Sequence, residues 1–330
     1  MSSGSSLPYH LRIRKEIERY LFIEQIRLIL LYLKEKPSEY SYVSMAGPFS
    51  WDFKKMYEYF DFKYFISYET EEETFKRQKF NAPFSKIVYK NEGIENFINS
   101  YPDFEKKRGG YRERLGKVVA WLDYTDFKEH CIKTFKEAVE KVDVGSIVKI
   151  TVNANPADIA KGGRDDVNDK RLEVLQKRLG GSFNEFIYKK EVFTHKEYPK
   201  AVLRHLLTIA EEASPRGSDK KFLPTSSYIY QDNALMLTLT GTIIKKDDEK
   251  AFLKSPEFSK WDFRIKKVEG EYAYEEINVP FLSQKEVLKL NPKLPRNNKS
   301  GKIALDGISE DEMEKYVRFH KFYPIYLKTL

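Results

Sequence analysis

Asp123 and Tyr124 close an apolar run, Lys117-Val118-Val119-Ala120-Trp121-Leu122, and bring a carboxylate and a phenol to its exit. At the end of a buried strand such a pair can accept a proton from a nucleophile, orient that nucleophile in line with a transferred group, or flank an aromatic substrate. Asp126, three residues on, reads as a helix cap, which leaves Asp123 without a structural purpose. Glu69 ends a second apolar run, 22 residues beyond Gly47. An acidic side chain about 20 residues after a glycine turn is what a doubly wound nucleotide-binding sheet uses to hold ribose hydroxyls. Asn153 and Asn155 follow a further run, where amide side chains bind either a substrate or their own loop.

The elements that must position these residues are four continuous β-branched and aromatic runs: Ser41–Gly47, Tyr64–Glu69, Ser85–Glu92 and Lys117–Tyr124. Runs of this kind suit strands buried on both faces of a parallel sheet, and helical stretches between them supply the connections. The chain reads as α/β, a Rossmann-like doubly wound, mostly parallel sheet with its site along the carboxyl ends of the strands. A first helix is expected from about Ile13 to Glu35, with Ile17, Leu21, Ile26, Ile29, Leu30 and Leu33 inward and Arg14, Lys15, Glu16, Glu18 and Arg19 in water. Pro37 ends it, and Ser50 is the expected N-cap of a helix opening at Trp51. Tyr101–Arg114, with Gly109-Gly110, reads as an exposed loop.

A helix from about Phe127 to Val142 and a fifth strand, Gly145–Asn153, follow. After the polar loop Lys161–Asp166 come helices near Asn168–Leu179 and Pro199–Ala213, then a β-hairpin over Ser226–Tyr230 and Ala234–Thr240. The expected division is 1–36, a helical segment covering the site; 37–248, the α/β domain with an insertion near 156–198; and 249–330, a C-terminal appendage.

A net charge of +8 arises from 58 basic and 50 acidic residues. Both signs are spread along the chain, so a solvated surface explains them. Lys106, Lys107, Arg108, Arg112 and Arg114 form the densest basic cluster and the natural phosphate-contacting loop if nucleic acid is a partner. The single cysteine, Cys131, cannot form an internal disulfide and no Cys/His cluster has zinc-site spacing, so no metal and a reducing, cytoplasmic setting are expected. The longest apolar run, Leu28–Leu33, is too short to span a membrane. His130 and Cys131 are neighbours in a helix and are expected to point apart. His195, His205 and His320 are isolated, and Trp51 and Trp121 read as core.

Five strands alternating with helices and finished by a hairpin are similar to the class I S-adenosylmethionine-dependent methyltransferases. The particular strings resemble a bacterial O-methyltransferase family within that class. They are Pro8-Tyr9-His10-Leu11-Arg12, Gly47-Pro48-Phe49, Glu69 followed by Glu72–Gln78, Asp123-Tyr124-Thr125 and Thr151–Pro156, with a weaker match at Val279–Leu282. The resemblance implies S-adenosylmethionine as cofactor, ribose hydroxyls on Glu69, the adenine near Asn91 and Glu92, and Gly47, Pro48 and Phe49 as the cofactor turn. That turn departs from the usual pattern by having one glycine, so Tyr9, His10 or Arg12 is expected to hold the cofactor carboxylate. Asp123 becomes the candidate base or acceptor orienter, with Tyr124 placing the acceptor. Asp123-Tyr124 also partly resembles the loop of amino-methyltransferases that act on nucleic-acid bases, which leaves nucleic acid open as an acceptor. The alternatives are a non-catalytic nucleotide-sensing module and a nucleic-acid-binding protein.

Overall fold

All the apolar runs enter one eight-stranded sheet in the computed structural model, which describes residues 12–105, 112–160, 167–214, 217–295 and 303–324. Its strands are β1 (Tyr40–Ser44), β2 (Tyr64–Tyr68), β3 (Ile87–Lys90), β4 (Lys117–Asp123), β5 (Ile147–Asn153), β6 (Lys220–Gln231), β7 (Leu235–Lys245) and β8 (Glu275–Ile277). They lie in the order β8-β6-β7-β5-β4-β1-β2-β3, and β7 alone runs against the others. This is the expected Rossmann-like α/β sheet with its closing hairpin.

The alternation along β4 shows why these strands are apolar throughout. Val118, Ala120 and Leu122 enter one core, and Val119 and Trp121 enter the core on the opposite face. Helices α1 (Ile13–Leu33) and α2 (Trp51–Tyr59) cover the Trp121 face, whereas α4 (Glu95–Ser100), α5 (Glu129–Lys141) and α7 (Tyr198–Glu212) cover the other. Two further helices, α3 (Glu72–Phe80) and α6 (Val167–Leu179), complete the connections. In the C-terminal region β8 adds to the edge of β6. Around it, Ile277, Val287, Leu290, Met313 and Tyr316 pack with Ile13 and Ile17 of α1 in a third core.

Several local expectations change. The segment read as an exposed loop holds a two-stranded hairpin, Asp103–Glu105 with Arg112–Arg114, anchored by buried Phe104. The loop Lys161–Asp166 and the basic residues Lys106, Lys107 and Arg108 lie outside the described residues. Ser50 does stand before α2, but at φ 47° and with no capping hydrogen bond from its side chain. Lys128, not Asp126, is the residue before α5, so the capping reading of Asp126 does not hold.

The largest change concerns α1. Lys15, Glu16, Glu18 and Arg19, expected in water, are 7%, 2%, 1% and 3% exposed. Charged side chains reach such depth only when paired, and each has a partner described below.

Candidate functional site

The carboxyl ends of β1, β2, β4 and β5 open into one cleft of about 1110 Å³. Beyond β1, Gly47 turns the chain at φ 58°, a left-handed conformation that a Cβ makes costly. Beyond β2, Glu69 sits half-buried with its Oε1 accepting from the Glu71 backbone N–H at 2.9 Å and its Oε2 3.4 Å from Gln78 Nε2. Burial pushes its carboxyl above the ordinary value. Asn91, after β3, braces this corner by donating from Nδ2 to the Glu69 carbonyl at 2.8 Å.

Of the residues singled out in the sequence, Arg12, Gly47, Pro48, Glu69, Asp123, Tyr124, Asn153 and Asn155 line the cleft. Phe49, Asn91 and Glu92 are not in its wall: the Arg77 guanidinium lies over the Phe49 ring at 5.3 Å, and Glu92 accepts from Asn96 Nδ2 at 3.0 Å. Tyr9 and His10 lie outside the described residues. The two asparagines at the end of β5, Asn153 as its last residue and Asn155 two beyond, satisfy their own loop. Asn153 Oδ1 accepts from Asn155 N at 2.8 Å, and Asn155 Oδ1 caps the next turn through Ala157 N at 3.1 Å.

The first turns of α1 form the roof beside β4. Asp232, in the turn between β6 and β7, accepts from the backbone N–H groups of Arg14 and Lys15 at 3.3 and 2.9 Å, so it caps this helix from a distant part of the chain. Arg14 reaches the carbonyls of Gln231 and Val279 and fixes the same corner. Held there, Lys15 places Nζ 2.8 Å from Asp123 Oδ2. The next residue, Glu16, accepts from Arg19 at 2.8 Å and from Trp51 Nε1 at 3.0 Å. Glu18 pairs with Lys149 of β5 at 2.5 Å.

Lys149 is fully buried, with its ammonium 3.5 Å from the Trp121 ring centroid and 4.2 Å from that of Phe22. Desolvation outweighs the attraction of Glu18 and lowers its pKa to about 8. Sequence reasoning missed Lys15, Glu18, Lys149 and Asp232. A signal for one of them was present: a lysine inside Ile147-Val148-Lys149-Ile150 is a charge in a strand otherwise buried on both faces, and it demands a partner.

Tyr124 is buried at the cleft wall, and burial holds its phenol above the ordinary value. Its ring meets that of His130 edge to face at 5.5 Å. His130 and Cys131 do not point apart as expected, since Cys131 Sγ lies 3.4 Å from His130 Nε2 and 3.4 Å from Asp126 Oδ1. They stand at the very start of α5, where Asp126 approaches from the preceding loop. Burial raises the Cys131 thiol far above its usual range, so a nucleophilic role is not supported.

A family model described as "putative O-methyltransferase" matches residues 7–330. Among solved structures, the chain is similar to a pre-rRNA processing protein, fibrillarin, of Methanococcus jannaschii, at 10% identity and a TM-score of 0.37, covering 64% of this chain and 69% of that one. It is also similar to a protein of Listeria monocytogenes described as a "putative S-adenosylmethionine dependent methyltransferase", at 13% identity and a TM-score of 0.37, covering 67% of this chain and 98% of that one. No curated protein matches the chain. Among the described residues, no helix is long and apolar enough to cross a membrane.

Proposed function

The chain belongs to the family described by that O-methyltransferase model, and from this premise we propose that it transfers a methyl group from S-adenosylmethionine to a hydroxyl acceptor bound in the cleft. One observation carries the reading. Gly47, Glu69 and Asp123, at the ends of the three adjacent parallel strands β1, β2 and β4, line a single cavity of about 1110 Å³. That volume suits a nucleoside-sized ligand with an acceptor beside it.

The residues present fit the cofactor. Glu69 offers a partly desolvated carboxylate where two ribose hydroxyls would be held, and Gly47 lets a ligand approach the backbone closely. Asn91 keeps the Glu69 backbone in place, Pro48 and Phe49 shape the turn, and Arg12 is the described member of the N-terminal segment proposed to meet the cofactor carboxylate. When bound, the cofactor supplies a methyl on a cationic sulfur; transfer forms the oxygen–methyl bond, breaks the sulfur–methyl bond, leaves a neutral thioether and releases the hydroxyl proton. Asp123 receives that proton or orients the hydroxyl, Tyr124 sets the acceptor's position, and Asn153 and Asn155 hold the loop beneath it.

Isothermal titration of S-adenosylmethionine into wild type and Glu69→Ala tests the reading. The variant should bind more weakly by about 1.5–3 kcal/mol, the worth of a charged hydrogen bond. Equal affinity in a folded variant overturns the assignment.

A further inference from the structure

Asp126, His130 and Cys131 offer a carboxylate oxygen, an imidazole nitrogen and a sulfur that all lie within 4.8 Å of one another. Two of the separations are already 3.4 Å. A zinc ion bonded at about 2.0–2.3 Å to tetrahedral ligands sets them about 3.3–3.8 Å apart. Two edges of one face of such a tetrahedron are therefore already set, and the third joins the half-exposed Asp126 to the exposed His130.

We propose that Asp126, His130 and Cys131 form a zinc site at the wall of the cleft, with its fourth position open to water. Two surrounding contacts favour it. Lys128 Nζ engages the other oxygen of Asp126, Oδ2, at 2.5 Å, which leaves Oδ1 toward the sulfur. The Tyr124 ring supports His130 from the side.

Without the ion, the Cys131 thiol donates toward Asp126 Oδ1. Zinc takes the place of that one proton, which passes to solvent, and the two anionic ligands neutralise the divalent charge. Asp126 and His130 line the cleft while Cys131 is buried beneath them, so the remaining vertex faces the cavity. The mixed set of soft and borderline donors selects zinc over magnesium or calcium. This site goes beyond the methyl-transfer reading and does not depend on it.

The test uses the full-length, tag-free, metal-stripped chain titrated with cobalt(II) as a spectroscopic substitute, followed by zinc. One cobalt per chain should bind, give a thiolate-to-cobalt charge-transfer band, and be displaced by zinc. Cys131→Ser should abolish the band. His130→Ala changes an exposed residue and should fold normally, yet weaken cobalt binding by at least roughly tenfold. No band in folded wild type, uptake without the band, or unchanged binding in folded His130→Ala overturns the site. S-adenosylmethionine titration of the metal-free chain is read separately, so failure of the metal site and failure of the cofactor reading are distinguishable.

Discussion

Lys15 Nζ meets Asp123 Oδ2 at 2.8 Å, across 108 positions of sequence and between an N-terminal helix and the end of β4. Both side chains are mostly shielded from water, so the pair should be worth more than an exposed ion pair. A urea-unfolding double-mutant cycle with Lys15→Met and Asp123→Asn should give a coupling of about 1.5–3 kcal/mol, as for a charged hydrogen bond. A coupling below about 0.5 kcal/mol would place it with exposed pairs of little consequence.

If Glu69 holds the ribose as proposed, cofactor binding should depend on pH. Burial raises its carboxyl pKa, and in the proposed role the ionised form would accept from two hydroxyls. Affinity for S-adenosylmethionine should therefore fall on acidification, beginning above the ordinary carboxylate range. Glu69→Gln should bind weakly with a flatter profile. Parallel pH profiles for wild type and variant would assign the titration to another group.

The sheet was legible because burial on both faces leaves a continuous apolar run. Val118 to Leu122 carries this signal in five consecutive residues, and Ile147 to Val152 carries it with interruptions at Lys149 and Thr151. The polar side of α1 was not legible. Helical periodicity assigns Lys15, Glu16, Glu18 and Arg19 to water unless their partners are known, and Asp123, Trp51 and Lys149 arrive only through tertiary structure. Adjacent helical residues diverge in a regular helix, so the approach of His130 to Cys131 at the first turn of α5 was hidden for the same kind of reason. Gly47 and Glu69 were readable from spacing, whereas the capping of α1 by Asp232 joins residues that no local pattern connects.

The Glu18–Lys149 pair separates stability from pairing. Lys149→Met leaves Glu18 buried without its cation and should cost about 3–5 kcal/mol in urea unfolding. Replacing both, as Glu18→Leu with Lys149→Met, should recover most of that loss because two apolar side chains of similar volume need no partner. A single variant as stable as wild type would mean that the ion pair contributes nothing to the fold.

His205 makes stability depend on pH in the mildly acidic range. It is buried, with Nδ1 3.1 Å from the Tyr188 hydroxyl, and burial lowers its pKa from 6.5 to about 4. Between these values the unfolded chain binds a proton that the folded chain does not. Its contribution is therefore present above pH 6.5 and lost as pH falls toward 4, by roughly 3 kcal/mol in all. The stability difference between wild type and His205→Gln, followed by urea unfolding from pH 7 to 4, should shrink on acidification; a constant difference would exclude His205 as the titrating group.

The proposed chemical role of Asp123 is tested by removing its charge and keeping its shape. Asp123→Asn retains an oxygen and the side chain's outline but cannot accept a proton at that oxygen's neighbour, and Lys15 loses its anionic partner. Cofactor binding should persist, since Glu69 and Gly47 are untouched, while methyl transfer falls by about 10²–10⁴-fold, the usual worth of a positioned acid–base group. Radiolabelled methyl transfer to an acceptor found among hydroxyl compounds, followed for wild type, Asp123→Asn and Lys15→Met, measures this. Lys15→Met leaves the carboxylate in place and should lose less than Asp123→Asn. Equal rates in wild type and Asp123→Asn would remove Asp123 from the chemistry and leave it as the structural partner of α1.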